Sequence, residues 1–413
     1  MSGAASEVSV VVERLGHRGD GIAPGPVYAP RTLPGEVVTG VLSGDRIEKP
    51  RIETPSPDRV SPPCRHFRMC GGCALQHARD AFVADWKLDV VRQALAANGA
   101  PAPLRRLHTS PVGTRRRAAL SGRRTKSGAI VGFHARQSDQ VIGIANCRVL
   151  APDILSALPA LEEIVVEGGS RKGEVRLTVT VTDEGLDVAA TGGRDADLRL
   201  TQRLVEVGGN GGFARLSWND DTVFQRSDPH VTISGHRIPL PQGAFLQATV
   251  EGETALIASV LDALGTTGGP VLDLFSGLGT FSVPLAESHD VHAVEGSRDL
   301  LQALDWGWRH AQGLHRITTE ARDLFRRPLL PDEMKRFGAI VIDPPRAGAA
   351  AQIAEIARSN VPVVAHVSCN PVTFARDALT LLSAGYEIAR IDVVDQFRWS
   401  THIELVAKFH LVR

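Results

Sequence analysis

The run Pro270-Val271-Leu272-Asp273-Leu274-Phe275 and the turn after it, Ser276-Gly277-Leu278-Gly279-Thr280, constrain this chain more than any other feature. A nearly continuous apolar strand must be buried on both faces, which calls for a parallel sheet covered by helices. The two glycines allow a tight turn into a helix opened by Phe281 to Ala286. The following strand, Val291-His292-Ala293-Val294-Glu295, ends in an acid at the spacing where Rossmann-type sites place a ribose-binding carboxylate. Ser282 occupies the place of the third glycine of GxGxxG. That glycine serves close packing in sites that hold a pyrophosphate. A cofactor with one ribose and no phosphate can do without it, so the pattern points to S-adenosyl-L-methionine rather than to a nicotinamide dinucleotide.

Two more strand ends carry reactive groups. Phe337 to Ile342 is stopped by Asp343-Pro344-Pro345-Arg346, since neither proline can continue a ladder. Pro362 to Val367 runs into Ser368-Cys369-Asn370-Pro371. Both Asp343 and Cys369 therefore sit at carboxyl ends of strands, where open α/β sheets keep their ligands. A buried structural thiol is the plain alternative for Cys369, and a nucleophile is the sharper one. Helices over Ala349 to Ser359 and Thr373 to Ala384, and closing strands near Ile388 to Val394 and Ile403 to Leu411, complete seven strands with an antiparallel pair at the end. That pattern suits a methyltransferase-type Rossmann fold.

The other four cysteines stand apart. Cys64, Cys70 and Cys73 form a tight triplet and Cys147 follows much later. Gly71 and Gly72 let the backbone turn so that Cys70 and Cys73 face one centre. The first residues show neither a basic lead nor an apolar core, so a cytoplasmic, reducing setting is expected, in which such thiols bind metal rather than cross-link. Spacing leaves tetrahedral zinc and an iron-sulfur cluster equally open.

Lys plus Arg and Asp plus Glu both number 46, so net charge gives no hint of a polyanionic partner. Its distribution does. From Val90 to Ser138 there is no acid, yet Arg92, Arg105, Arg106, Arg115, Arg116, Arg117, Arg123, Arg124, Lys126 and Arg136 are present. A one-signed stretch of this length is expected to be a phosphate-binding surface. No apolar run reaches membrane-spanning length. The chain divides into residues 1–57, rich in valine strands broken by glycine turns; 58–240, a central α+β region with the cysteines and arginines; and 241–413, the α/β region. The helix Asp80 to Ala97 is expected to pack on the last of these, and Thr191 to Asp197 and Gly208 to Gly212 are read as loops.

Five segments together carry a resemblance: CRHFRMCGGCALQH (64–77), DLFSGLGTFSVPLA (273–286), DPPRAG (343–348), VSCNPVTFAR (367–376) and HIEL (402–405). In this order, over nearly the whole chain, they resemble the RNA uracil-5-methyltransferases, in particular the iron-sulfur branch. The resemblance implies an N-terminal TRAM-like OB barrel that binds RNA, a [4Fe-4S] cluster on Cys64, Cys70, Cys73 and Cys147, and a class of enzyme that uses S-adenosyl-L-methionine. It implies Cys369 as nucleophile and Glu404 as general base. Gln247, Phe275, Glu295 and Asp343 are implied to contact the cofactor or lie beside the target base, and Asp323 is a candidate on the adenine side. Departures are Thr249, where the family has asparagine, and Thr280 in the glycine loop.

The chemistry agrees with those residues. C5 of uracil is too weak a nucleophile to be methylated directly, so a thiolate must first add at C6. The resulting enolate takes the methyl group, a base removes the C5 proton, and the thiol leaves. The expected substrate is RNA, with 23S ribosomal RNA favoured over transfer RNA, and the expected state is a monomer free of membranes. A cytosine-5-methyltransferase would share the thiol but not the cysteine triplet with HIEL. A non-catalytic iron-sulfur RNA-binding protein would have no use for Cys369, Glu404 and Gln247 together.

Overall fold

The computed structural model describes residues 7–412, apart from the side chains of Arg106 and Leu107. Its C-terminal sheet has eight strands in the spatial order Ile317–Ala321, Val291–Glu295, Val271–Leu274, Ala339–Ile342, Val363–Ser368, Glu404–Leu411, Tyr386–Asp395, Leu104–Thr109. The first five run parallel, and Glu404–Leu411 is antiparallel to both its neighbours. The central strands are buried along their length except for Val363 at the start of Val363–Ser368, as a sheet covered on both faces requires. Two apolar clusters lie on its two faces, one around Leu272, Ile340, Phe374 and Phe409, the other around Val271, Phe281, Leu285 and Val341.

Ile317–Ala321 and Leu104–Thr109 were not recognised in the sequence. The second pairs parallel with Tyr386–Asp395 although almost three hundred residues separate them. The helix before it, Asp80–Ala96, packs on the same sheet, as expected, and its Val91 and Leu95 enter that core. Each contributes roughly 1.5–3 kcal/mol by leaving water. Segment 80–109 therefore lies against the α/β region rather than with its sequence neighbours.

Lys87, on this helix, is fully buried. Its ammonium sits 2.6 Å from Asp395 Oδ1 and donates to the carbonyls of His402 at 2.9 Å and Phe397 at 3.3 Å. One charge thus anchors the loop that joins the last two strands. Burial lowers the Lys87 pKa from its usual value, and Asp395 opposes that by favouring the charged form.

Residues 7–54 form a separate sheet of seven short strands, mostly antiparallel, over a small core of Val12, Ala29, Val38 and Ile47. The central region holds another seven-stranded sheet, from Arg117–Arg124 to Asp221–Gln225, with the helices Leu158–Gly168 and Leu198–Asn210 packed against it. Asp197 caps the second helix, accepting the Leu200 N–H at 2.7 Å. That helix runs through Gly208 and Gly209, which had been read as loop. A Cβ at Gly208 would meet the Phe224 ring at 2.7–2.8 Å, so tight packing and not a turn explains this glycine.

The one-signed basic stretch is not one-signed in space. Arg116 is 8% exposed and pairs with Glu253 at 2.6 Å. Arg117 donates to the carbonyls of Ala244 and Gly243. Arg115 lies between the rings of Phe133 and Phe397. These three were expected on phosphates; they instead fasten the central sheet to the segment that carries Gln247 and to the loop after Asp395. Arg92, Arg105, Arg123 and Arg136 pair with Asp89, Asp262 and Asp392, Glu174, and Asp20 respectively. Acids distant in sequence neutralise much of the run, and the Arg106 side chain lies outside the described residues.

Removing Lys87 would leave Asp395 buried and unpaired. Lys87→Met should cost about 3–5 kcal/mol in urea unfolding, and the double variant Lys87→Met/Asp395→Leu should recover much of the loss. Equal destabilisation of the single and double variants would contradict the pairing as the anchor.

Candidate active site

Strand polarity assembles the site. Leu274 is in register with both Val294 and Ile342, so the residues after them, Phe275, Glu295 and Asp343, share one end of the sheet. Ile342 is in register with His366, and Ser368 with Leu405. Because Glu404–Leu411 runs the opposite way, its first residue meets the last residues of Val363–Ser368. Cys369 and Glu404 are thereby brought to the same edge as Asp343.

The glycine turn behaves as its sequence requires. Phe275, Gly277 and Gly279 all have positive φ. A Cβ on Gly279 would come 2.5 Å from Leu304, so the turn closes against the helix Arg298–His310. Glu295 accepts the Gly277 N–H at 3.2 Å on one oxygen and the Ser297 N–H at 3.0 Å on the other. Each oxygen keeps a lone pair for a ligand hydroxyl. Ser282 is fully buried and donates to Asp273 Oδ2 at 2.5 Å, which explains a serine at the third glycine position. Phe325 lies against Phe275 with ring centroids 5.4 Å apart. Asp323 is exposed and accepts the backbone N–H groups of Phe325 and Arg326. Thr249 is the N-cap of the helix Val250–Leu264, accepting the Gly252 N–H at 3.0 Å.

The carboxyls at this edge crowd one another. Burial first, and then Asp343, push Glu404 up to about 8. Burial pushes Asp343 to about 7; burial, with Asp343 and Glu295 adding to it, brings Asp273 to about 7. Asp273 Oδ1 and Ser276 Oγ are buried without hydrogen-bond partners. Such a group of acids and orphaned oxygens suits a ligand that brings a positive charge and donors, as a sulfonium with an amino group does. A cation among them would favour their ionised forms.

Cys369 is half-buried. Burial raises its thiol to about 11, Glu404 and Asp343 add to the rise, and Arg346 opposes it. It opens on a cleft of about 410 Å³ with Arg346, Asn370, His402 and Ile403, walled by Val90 and Gln93 of the helix Asp80–Ala96 and by Arg14 and His17 of the N-terminal sheet. Gln247 is 4% exposed. Its side-chain oxygen accepts from Gln396, a buried residue that the sequence reading missed. Gln396 also acts on Glu404 by a hydrogen bond. Only the separation of 149 positions between the two glutamines hid this contact.

Cys64, Cys70, Cys73 and Cys147 are all unpaired and line one small pocket with His66, Phe67, Phe133, Ile144 and Val149. Burial lifts the Cys73 thiol to about 12, with the other three thiols adding to it. Among the described residues, no group of three or more His, Cys, Asp or Glu side chains is set to hold a single metal ion. The residues after Cys73, Ala74 and Leu75, donate their N–H groups to the carbonyl of Trp399 at 2.8 and 2.9 Å. The cysteine segment thus touches the loop between Gln396 and Glu404.

No helix among the described residues is long and apolar enough to cross a membrane. The family model described as tRNA (Uracil-5-)-methyltransferase matches residues 230–409. An uncharacterised RNA methyltransferase of Rhizobium meliloti is 42% identical over 97% of this chain and 98% of its own length. The 23S rRNA (uracil(1939)-C(5))-methyltransferase RlmD of Halomonas elongata is 32% identical over 98% of this chain and 89% of its own. In fold, the chain is similar to the tRNA (uracil-54, C5)-methyltransferase of Pyrococcus abyssi, solved with S-adenosyl-L-homocysteine, with a TM-score of 0.74 at 22% identity over 97% of this chain and 99% of that one. With relatives of this identity matching almost end to end, and a sheet edge that gathers a thiol, three carboxyls and a glycine turn, the chain belongs to the S-adenosyl-L-methionine-dependent RNA uracil-5-methyltransferases.

Proposed function

We propose that this protein methylates C5 of a uridine in ribosomal RNA through a covalent bond between Cys369 and C6 of the base. The observation that carries the reading is the register of Ser368 with Leu405, which brings Cys369 and Glu404 to one sheet edge beside Asp343. The Halomonas elongata relative favours ribosomal RNA; the Pyrococcus abyssi likeness is one of fold. The uridine reaches Cys369 unpaired or flipped out of its stack.

S-adenosyl-L-methionine supplies the methyl group, and Gln247, Phe275, Glu295 and Asp343 are the residues proposed to hold it or the base. Cys369 adds to C6 as the thiolate, having lost its proton, and gives an enolate whose C5 becomes nucleophilic. After methylation Glu404 takes the C5 proton, and the Cys369–C6 bond breaks as the ring double bond re-forms. Arg346 is the group beside Cys369 that favours its thiolate. Residues 1–57 are proposed as a TRAM-like RNA-binding barrel, 58–240 as the cluster-bearing region except for segment 80–109, which joins the C-terminal sheet, and 241–413 as the catalytic region.

Cys64, Cys70, Cys73 and Cys147 are proposed to hold a [4Fe-4S] cluster. One shared, largely apolar pocket supports this, and thiols kept protonated by burial would ionise on a cluster. Such a group would stiffen the segment that supports Trp399, a positioning task that moves no electron. Anaerobic purification with metal analysis should find about four irons per chain, lost with Cys70→Ser; stoichiometric zinc without iron would contradict the cluster.

Cys369→Ala should give no 5-methyluridine and no protein-RNA adduct. Glu404→Gln should add and methylate but stall, leaving a denaturation-resistant complex that carries the labelled methyl group. Normal turnover by Glu404→Gln would move the base elsewhere, and product from Cys369→Ala would end the mechanism.

Glu404 also has a signature in stability. Its folded value near 8 lies above the ordinary 4.5, so the cost of keeping it buried is absent at low pH, grows as pH rises from 4.5 to 8 and levels off above that. In the ligand-free protein, Glu404→Gln should match wild type at pH 4.5 and be the more stable at pH 8 by chemical denaturation. A constant difference between the two would contradict a buried, neutral Glu404.

A further inference from the structure

Gln396 follows the strand Tyr386–Asp395 and is 2% exposed, so both ends of its amide need partners within the protein. Which end faces which way follows from one backbone group. The N–H of Ala248 can only donate, and it lies 2.7 Å from Gln396 Oε1. That fixes the oxygen end and leaves the Nε2 end, a donor, 2.6 Å from the Gln247 side chain. The atom of Gln247 at that distance must then be its oxygen, since two amide nitrogens would repel. Gln247 thus turns its NH2 group away from Gln396. The backbone on both sides is also held in place: Arg116 Nε donates to the main-chain carbonyl of Gln247 at 3.2 Å, and a Cβ at Gly252 would lie 2.6 Å from Gln396 Cβ.

We infer that Gln396 is a positioning residue that locks Gln247 as a hydrogen-bond donor, so that the bound methyl donor must present an acceptor oxygen to it. The inference rests on the proposed cofactor role of Gln247. A hydrogen bond to a charged acceptor commonly changes affinity by about tenfold or more.

The test is a double-mutant cycle on S-adenosyl-L-homocysteine binding, read by calorimetry on the full chain. Gln396→Met and Gln247→Leu should each weaken binding by about tenfold, and the double variant should be no weaker than Gln247→Leu alone. A second variant covers the case in which Gln396→Met does not fold. Gln396→Glu keeps the shape, and when protonated it keeps both a donor and an acceptor. Its affinity relative to wild type should fall as pH rises from 5 to 9, as the donor is lost. The charged groups around position 396 are Glu404 and Asp343, Arg115 and Arg398, the pair of Lys87 and Asp395, and the pair of Arg116 and Glu253; all are common to both proteins. Wild-type affinity for Gln396→Met, independent losses that multiply in the double variant, or a pH-independent ratio for Gln396→Glu would each overturn the inference. Failure of wild type to bind S-adenosyl-L-homocysteine at all would instead overturn the methyl-transfer reading on which it stands.

Discussion

Strand direction is the constraint on which the rest of this molecule depends. Four of the five parallel strands deliver Phe275, Glu295, Asp343 and Cys369 at their carboxyl ends, and one reversed strand delivers Glu404 at its amino end to the same edge. Had Glu404–Leu411 run parallel with its neighbours, its carboxyl would lie a full strand length from Cys369. In the proposed mechanism the antiparallel pair is therefore part of the chemistry as much as of the fold. What the sheet does not supply by itself is the loop between Gln396 and Glu404, which must hold position over a cleft open to a large substrate.

That loop is gripped from three directions. Lys87 reaches it from the helix Asp80–Ala96, Arg115 packs on Phe397 from the central sheet, and the amides after Cys73 bind Trp399. All three come from residues far upstream. The buried ion pair itself is costly to form, since desolvation opposes it, but once formed it tolerates only the geometry that satisfies both charges. Nearby, Asp273, Asp343 and Glu404 are held in surroundings that disfavour their ionised forms. A site with this much suppressed negative charge suits a cationic ligand, whose charge would favour the ionised form of Glu404.

Much of this was legible in the sequence because the relevant signals are local. The strand and glycine turn at 271–280, the acid ending Val291–Glu295, the prolines after Asp343 and the apolar run before Cys369 each announce a strand end without reference to the rest of the chain. The cysteine triplet was visible in the same way, and it lines one pocket together with the distant Cys147. What was hidden depends on partners distant in sequence. Leu104–Thr109 becomes a strand only by pairing with Tyr386–Asp395. The arginine triplet looked like a phosphate surface because Glu253 and the carbonyls of 243–247, which occupy it, lie more than a hundred residues away. Gly208 looked like a turn because nothing local shows the Phe224 ring that excludes a side chain there. Gln396 carries no motif of its own; its meaning comes from Ala248 and Gln247 across the site.

The central claim is that the Cys369 thiol bonds to the target uridine while the methyl group is transferred. Incubating wild-type protein with S-adenosyl-L-methionine and ribosomal RNA containing 5-fluorouridine blocks the final step, because fluorine at C5 cannot leave as a proton does. Proteolysis and nuclease digestion of the trapped complex, followed by tandem mass spectrometry, then reads the bonded residue directly. The account predicts one modified peptide, containing Cys369 and carrying a methylated 5-fluorouracil nucleotide. The same nucleotide on another residue, or turnover without any trapped peptide, would contradict it.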